Sequence, residues 1–462
     1  MRRLMLVSAL FAIGAVKAEQ LDTFRVTVAD SARNFGAIAA LPLPDSEIVT
    51  VSQEVGVSAQ CPDLCIRLSR HDASGADGSM RLTVSGLSSV TAAAIDSQGR
   101  IVVIGETPAA SKGGVDFGVL RFLPDGTDDM AFGSAGRARI GFDLGQSNSD
   151  KPTALAIDAK DSIVIVGSVE RAASNDLDFG VVRLNGNDGS VDPGFGNNGK
   201  SVVSFNLSAD YAFDIPYSVA IAKTGEIVIG GIANDSAIAL DGASYLGHRP
   251  VLARLMDNGA LDASFCSPGC NHNLYPSINS GRRVYYFGDE QPHADYISAI
   301  DVADTGDIVA AGTSYPDGAG APKAVIARLL VNGDQLFERQ EIGTDSYARY
   351  MAVRFADRDG SRIIAAGQSS MHTTGTSIGY FIVQAFKETL DFEKGYGGCL
   401  TQNSAICFSG TDNLDYGNNV ARSLTLDAQG RPLFAGTFRN QSNMNNGVAL
   451  FQRLTNTVKP NR

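Results

Sequence analysis

Ala94-Ile-Asp-Ser-Gln-Gly-Arg-Ile-Val-Val-Ile-Gly105 decides the fold, because its pattern returns along the chain. It recurs as Ala156-Ile-Asp-Ala-Lys-Asp-Ser-Ile-Val-Ile-Val-Gly167 and as Ala220-Ile-Ala-Lys-Thr-Gly-Glu-Ile-Val-Ile-Gly-Gly231. Further copies end at Gly312, Gly367 and Gly436, and a divergent first copy runs from Pro44 to Val51. Each copy joins a strand of alternating character to a tight turn in which Gly accepts positive φ. The strand after the turn, such as Ile101 to Ile104, is apolar on both faces and demands cover on both.

A second motif follows each copy. Asp116-Phe-Gly-Val-Leu-Arg-Phe-Leu-Pro-Asp-Gly126 is matched by Asp178-Phe-Gly-Val-Val-Arg-Leu184, with looser counterparts at Leu64–Leu68, Val251–Leu255, Val325–Leu329, Phe381–Ala385 and Val448–Leu454. A fourth strand closes the unit, as in Arg137 to Leu144, Lys200 to Leu207 and Arg282 to Phe287. Four short strands repeated in this way predict an all-β, seven-bladed β-propeller of four-stranded blades. Phe24 to Asp30 reads as a fourth strand standing alone before the first unit, and the last unit ends after its third strand at Leu454. The N-terminal strand is therefore expected to complete the last blade, closing the ring and removing an exposed edge.

The chain has 462 residues, 50 of them Gly, with 19% charged residues and no Trp, a mixture that favours short strands and turns over helices. Residues 1–18 read as a secretory signal peptide: Arg2 and Arg3, an apolar run from Leu4 to Val16, then small residues around Ala18. The domain reading is 1–18 leader, 19–456 a single propeller and 457–462 a tail. Losing the leader shifts the formal charge from −12 to −15. Such acidity repels phosphate backbones and argues against nucleic acid as a partner. No other apolar stretch is long enough to span a bilayer, so a soluble periplasmic or secreted monomer is expected. The six cysteines form local pairs, Cys61 with Cys65, Cys266 with Cys270 and Cys399 with Cys407. In an oxidising compartment these read as disulfides.

Asp178-Phe-Gly-Val-Val-Arg-Leu, then Asn187-Asp-Gly-Ser-Val-Asp-Pro-Gly-Phe-Gly-Asn-Asn-Gly-Lys200, then Ile227-Val-Ile-Gly-Gly231, resembles the Delta-60 repeat of exported or surface bacterial proteins. The resemblance is best in the second to fourth units, and it implies a propeller in an exported protein with no catalytic residue or cofactor to carry over.

Several motifs tempt a chemical reading. Gly194-Phe-Gly-Asn-Asn-Gly199 spells a dinucleotide fingerprint, but it lies in the loop between third and fourth strands, where Phe132-Gly-Ser-Ala-Gly136 stands one unit earlier. Asp-Phe-Gly at Asp116 and Asp178 is a repeat element and carries no kinase context. Asp129, Asp192 and Asp262 recur three residues before the loop Phe, a pattern that suits turn capping better than calcium.

Counting back along the first strands aligns Phe35, Ser88, Asp150, Asp214, Asp295, Ala348 and Asn419. Asp150, Asp214 and Asp295 are thus candidate ligands for a divalent cation at one mouth of the channel, with Tyr211, Tyr217, Tyr296, Tyr347 and Tyr416 in the same loops. His71, His248, His272, His293 and His372 form no metal or nucleophile motif. The leading functional expectation is a non-catalytic exported module that binds a protein, a glycan or a surface partner, or serves structurally. The alternative is a propeller lyase or hydrolase, in which His293 or His372 would converge with Asp214 or Asp295 at a cation-assisted site.

Overall fold

The computed structural model describes residues 21–28, 34–43, 47–55, 61, 63–110, 113–171, 176–208, 212–239, 246–266, 275, 278, 280–287, 295–315, 322–340, 348–373, 376–391, 405–408, 420–439 and 447–454. The leader at 1–18 and the tail at 457–462 lie outside them. All secondary structure among these residues is β, without a helix.

After β1 (Leu21–Val28) the strands come in sets of four. The first set is β2 (Asn34–Pro42), β3 (Ile48–Val55), β4 (Leu64–His71) and β5 (Asp77–Val84). The second is β6 (Ser89–Ile95), β7 (Ile101–Pro108), β8 (Val115–Phe122) and β9 (Arg137–Ile140). The third is β10 (Lys151–Ile157), β11 (Ile163–Glu170), β12 (Asp176–Leu184) and β13 (Lys200–Val203). The fourth is β14 (Ala212–Ile221), β15 (Ile227–Ala239), β16 (Leu246–Leu255) and β17 (Arg282–Val284). The fifth is β18 (Tyr296–Val302), β19 (Ile308–Ser314), β20 (Lys323–Leu329) and β21 (Gln335–Gln340). The sixth is β22 (Ala348–Phe355), β23 (Arg362–Thr373), β24 (Thr376–Lys387) and β25 (Ala405–Phe408). Three strands end the chain, β26 (Val420–Leu426), β27 (Pro432–Arg439) and β28 (Gly447–Leu454).

Each set of four is an antiparallel meander, and a short parallel pairing of Asp176 with Ala212 and Leu177 with Phe213 links the third set to the fourth. The last three strands accept β1, whose Val26 lies opposite Phe451 and Thr27 opposite Leu450, giving the order β1-β28-β27-β26.

The core sits between the sets rather than within them. Val102 and Ile104 of the second set pack against Ile163 and Ile165 of the third. Val164 and Val166 of the third pack against Ile227 and Ile229 of the fourth. Equivalent clusters join every successive pair, and Ala37, Ala40 and Ile48 of the first set pack on Leu433, Ala435 and Phe451 of the last. This is why strands such as β11 and β19 are buried at every position. Each such Val or Ile contributes about 1.5–3 kcal/mol on burial.

The outer strands are shorter than the sequence predicts: β9 stops at Ile140, β13 at Val203 and β17 at Val284. Just past the strand ends, Phe142 and Phe205 pack onto Phe117 and Phe179, each with ring centres 5.4 Å apart. Asp143 and Asn206, which follow them, adopt left-handed φ of 56° and 49°.

Candidate functional site

The innermost strands share one irregularity. A register shift falls between Ala37 and Ala39, Val90 and Ala92, Pro152 and Ala154, Pro216 and Ser218, Ile297 and Ala299, Tyr350 and Ala352, and Ala421 and Ser423. Each shift is a β-bulge that leaves one residue unpaired and re-aims its side chain. The bulged residues are Ile38, Thr91, Thr153, Tyr217, Ser298, Met351 and Arg422, and all of them line one cavity of about 370 Å³.

The repeat's terminal glycine is the complement of this bulge. A Cβ on Gly105, Gly167, Gly231, Gly312 or Gly367 would lie about 2 Å from the carbonyl oxygen of Ser89, Lys151, Ile215, Tyr296 or Arg349, two residues before the bulge. Only Gly lets the neighbouring strand approach that carbonyl.

Hydroxyls and two cations give the cavity its chemistry. Thr91, Thr153, Tyr217, Ser218, Ser298 and Ser423 line it together with Gln53, and the charged side chains among its described lining residues are Arg354 and Arg422. The Ser298 hydroxyl is buried without a hydrogen-bond partner, whereas the Ser218 hydroxyl accepts the Ile300 N–H at 3.0 Å. Tyr217 is 39% exposed. Its phenol pKa is raised by partial burial and then by Tyr296. Tyr296 in turn lies 6.2 Å from Tyr315, ring centre to ring centre. Arg354 sits three residues beyond its bulge and donates to the Val353 carbonyl at 2.9 Å. Asp301 holds the matching position on β18, accepts the Phe355 N–H at 2.8 Å and feels the Arg354 charge.

The three aspartates singled out by register lie three residues before the bulges of β10, β14 and β18, yet none lines the cavity. Asp150 and Asp214 are fully buried. The Asp150 carboxylate accepts the Phe142 N–H at 2.6 Å. That of Asp214 accepts the N–H groups of Phe205 at 2.5 Å and Asn206 at 3.3 Å. Both therefore clasp the loop leaving the previous set's outer strand. Asp295 accepts the Tyr315 N–H at 3.1 Å within its own set. Among the described residues no three His, Cys, Asp or Glu side chains gather at metal-binding distance.

Each clasp lies beside a carboxylate of the Asp-Phe-Gly motif. Burial pushes the Asp214 carboxyl up to about 8, with the nearby charge of Asp178 adding to it. Burial pushes Asp178 up to about 7 against the pull of Arg171, which lies 3.1 Å away. Asp150 and Asp116 are raised in the same way, burial first. One carboxylate oxygen of each of these four residues is buried with no hydrogen-bond partner.

Asp129, Asp192 and Asp262 are turn residues, as their spacing suggests. One oxygen of each accepts the N–H two residues on, from Ala131, Gly194 and Ser264. The other oxygen receives Nε of Arg121, Arg183 or Arg254, each at 2.8 Å. The loops holding the dinucleotide-like string and its counterparts are thus structural corners.

Cys61 and Cys65 form a disulfide with Cα atoms 5.9 Å apart. Cys266 is disulfide-bonded, and its φ of 55° matches the 52° of Gly133 and Gly196 in the equivalent loops. Its expected partner Cys270 lies outside the described residues, as does Cys399, and of the Cys407 side chain nothing is described. His71 meets the Thr50 hydroxyl at 3.0 Å and His248 the Asn234 side-chain oxygen at 2.7 Å. His272, His293, Tyr211, Tyr347, Tyr416 and Asn419 fall outside the described residues, as does the side chain of His372.

Comparison with known proteins agrees with this geometry. Residues 97–132 and 161–195 match a family described as a domain of unknown function (DUF5122) beta-propeller. The fold is that of a β-propeller. The polysaccharide lyase Uly1 superposes with a TM-score of 0.53 at 10% identity, over 94% of this chain and 99% of that one. An α-L-arabinanase of Penicillium chrysogenum complexed with arabinobiose gives 0.45 at 11% identity over 75% and 93%. The propeller domain of the Pyrococcus furiosus Trilobed protease gives 0.43 at 8% identity over 94% and 98%. No curated protein matches the sequence.

Arg354, Arg422 and the bulge ring other than Tyr217 are cavity-lining residues that the sequence pattern does not single out. Counting three residues forward from the aligned aspartates reaches the ring directly. The Gly ending six of the seven copies of the first motif is the signal that a bulge lies opposite; in the first set Ser52 stands at that place.

Proposed function

We propose that the chain is an exported seven-bladed propeller, closed by β1 on the last blade, that binds a small polar ligand in its central cavity. The seven bulged side chains around one cavity are the observation that carries this reading. The pairing of β1 with β28, the cluster joining first and last sets, and the hydrogen bond from the Thr425 hydroxyl to the Ala40 carbonyl at 2.5 Å support the closed ring. The Cys61–Cys65 disulfide supports an oxidising compartment. The same chemistry favours Cys266–Cys270 and Cys399–Cys407 as the remaining pairs.

Hydroxyls, an amide and guanidinium groups supply hydrogen bonds and positive charge, which suits recognition more than proton transfer. A volume of about 370 Å³ falls within the roughly 300–1,000 Å³ of small-molecule sites. The likeness to a polysaccharide lyase suggests saccharides as the first ligands to try, either for binding alone or as substrates of a lyase or hydrolase reaction. Calorimetric titration of the mature protein with a panel of oligosaccharides, alongside Tyr217→Ala and Thr153→Val, tests the site. Binding that both substitutions weaken while melting stays unchanged supports it. Binding indifferent to both places the ligand elsewhere.

A further inference from the structure

We infer that the cavity selects an oxyanion-bearing saccharide, one carrying carboxylate or sulfate groups; this rests on the cavity being the binding site. The first observation is a reversal of charge. The chain carries a formal −12, yet the charged side chains among the cavity's described lining residues are two arginines, Arg354 and Arg422. A cationic spot inside an acidic protein concentrates anions where the rest of the surface repels them. Guanidinium is also the group whose planar fork matches carboxylate and sulfate oxygens.

The second observation is geometric. Arg422 is exposed and occupies the bulge position of β26, where the backbone turns a side chain out of the sheet. Arg354 stands on the adjacent inner strand, three residues beyond the bulged Met351. At a rise of about 3.3 Å per residue this places it roughly 10 Å further along the strand. Two guanidinium groups at different depths suit an elongated anion with more than one charged group. Arg422, exposed at the ring itself, is the contact to substitute first.

The third observation is the hydroxyl lining. Ser298, on β18, keeps a buried hydroxyl without a hydrogen-bond partner beside the cavity. Buried polar groups are normally satisfied, and a ligand hydroxyl is a fitting partner here. Tyr217, partly exposed across the ring, offers an aromatic face and a phenol to the same ligand. Charge for the oxyanion and hydroxyls for the sugar thus occur in one cavity.

The test is calorimetry on the mature protein with three probes of equal length: a galacturonate trimer, a neutral galactose trimer and a sulfated galactose trimer. The expected result is binding of one or both charged trimers at least about tenfold tighter than the neutral one. That binding should weaken with salt, as the Debye length falls from about 30 Å at 0.01 M to about 8 Å at 0.15 M. Arg422→Gln should remove most of the preference and Arg422→Lys restore part of it. Preference for galacturonate over the sulfated trimer identifies carboxylate, and the converse identifies sulfate. Equal binding of charged and neutral trimers, or a charged preference unchanged in Arg422→Gln, overturns the inference while leaving the cavity as a saccharide site. Failure of every trimer to bind overturns the inference too. The cavity reading is then decided separately by the wider panel with Tyr217→Ala.

Discussion

Arg121 lies over the ring of Phe132, its guanidinium carbon 4.3 Å from the ring centre, while both side chains are almost wholly buried. Its Nε donates to Asp129 at 2.8 Å, Nη1 donates to the Gly186 carbonyl and Nη2 to the Asn187 carbonyl at 2.8 Å. The arginine thus ties the corner of its own blade to a turn of the next. Arg183 over Phe195 and Arg254 over Phe265 repeat the arrangement, reaching the Asp257 and Val331 carbonyls. In the second to fourth sets the arginine of the second sequence motif supplies this fastening.

Arg121→Ala is accordingly expected to cost about 3–5 kcal/mol, since it leaves Asp129 buried without its counter-charge. Urea unfolding measures it, with Lys223→Ala as the comparison. Lys223 meets Asp304 at 2.9 Å on the surface with 66% and 36% of the side chains exposed, so its loss should change stability by no more than about 1 kcal/mol. Equal effects of the two substitutions would contradict the role given to Arg121.

The stability contributed by Asp214 and Asp178 should fall as pH rises from about 4 to 8. Burial raises the folded-state pKa of Asp214 to about 8 and of Asp178 to about 7. The unfolded chain releases these protons near pH 4. The folded state therefore binds more protons across that window, and the stability these groups confer is complete below it and lost through it. Asp214→Asn keeps an acceptor for the Phe205 N–H but cannot ionise. Its melting temperature should exceed that of the parent at pH 8.5, match it near pH 4.5, and flatten the profile. The upper bound on the difference is a few kcal/mol. Parallel profiles for the two proteins would show that Asp214 does not titrate in this way.

Reducing the Cys61–Cys65 disulfide should have a modest effect. The loop it closes is short, so constraint of the unfolded chain is worth about 2 kcal/mol or less. Melting of Cys61→Ser/Cys65→Ser compared with the parent measures this. A collapse of the fold would mean that the bridge does more than stiffen a local loop.

Most of the architecture was legible because the repeat writes it out. The Ile101 to Ile104 run is apolar on both faces, and the structure covers it on both. The lone strand before the first unit was legible because the last unit is one strand short. The site was legible only halfway. Counting register found Asp150 and Asp214, but sequence cannot report that their side chains turn to the backbone of Phe142 and Phe205 and away from the cavity. The bulges that aim Tyr217 and Arg422 are backbone events with no hydrophobic signature. Their trace is the Gly in the facing strand, such as Gly231 or Gly367, which in the sequence marks only the end of a motif. Arg354 and Arg422 were hidden for the opposite reason: each occurs in a single blade, so the repeat does not mark them.

The cavity exists only if the inner strand of the last blade, carrying Arg422, is held beside that of the first. Closure by β1 is therefore the central claim, and a cross-strand disulfide tests it most directly. Arg25 and Gln452 are register partners in the β1–β28 pairing, and facing residues of antiparallel strands lie about 4.5–5.5 Å apart at Cα, within disulfide reach. Arg25→Cys/Gln452→Cys should oxidise to a monomer with an intramolecular bridge, detected by non-reducing electrophoresis and peptide mapping, and should melt at a higher temperature when oxidised than when reduced. Free thiols at both positions, or bridges only between two copies of the chain, would contradict the closed ring.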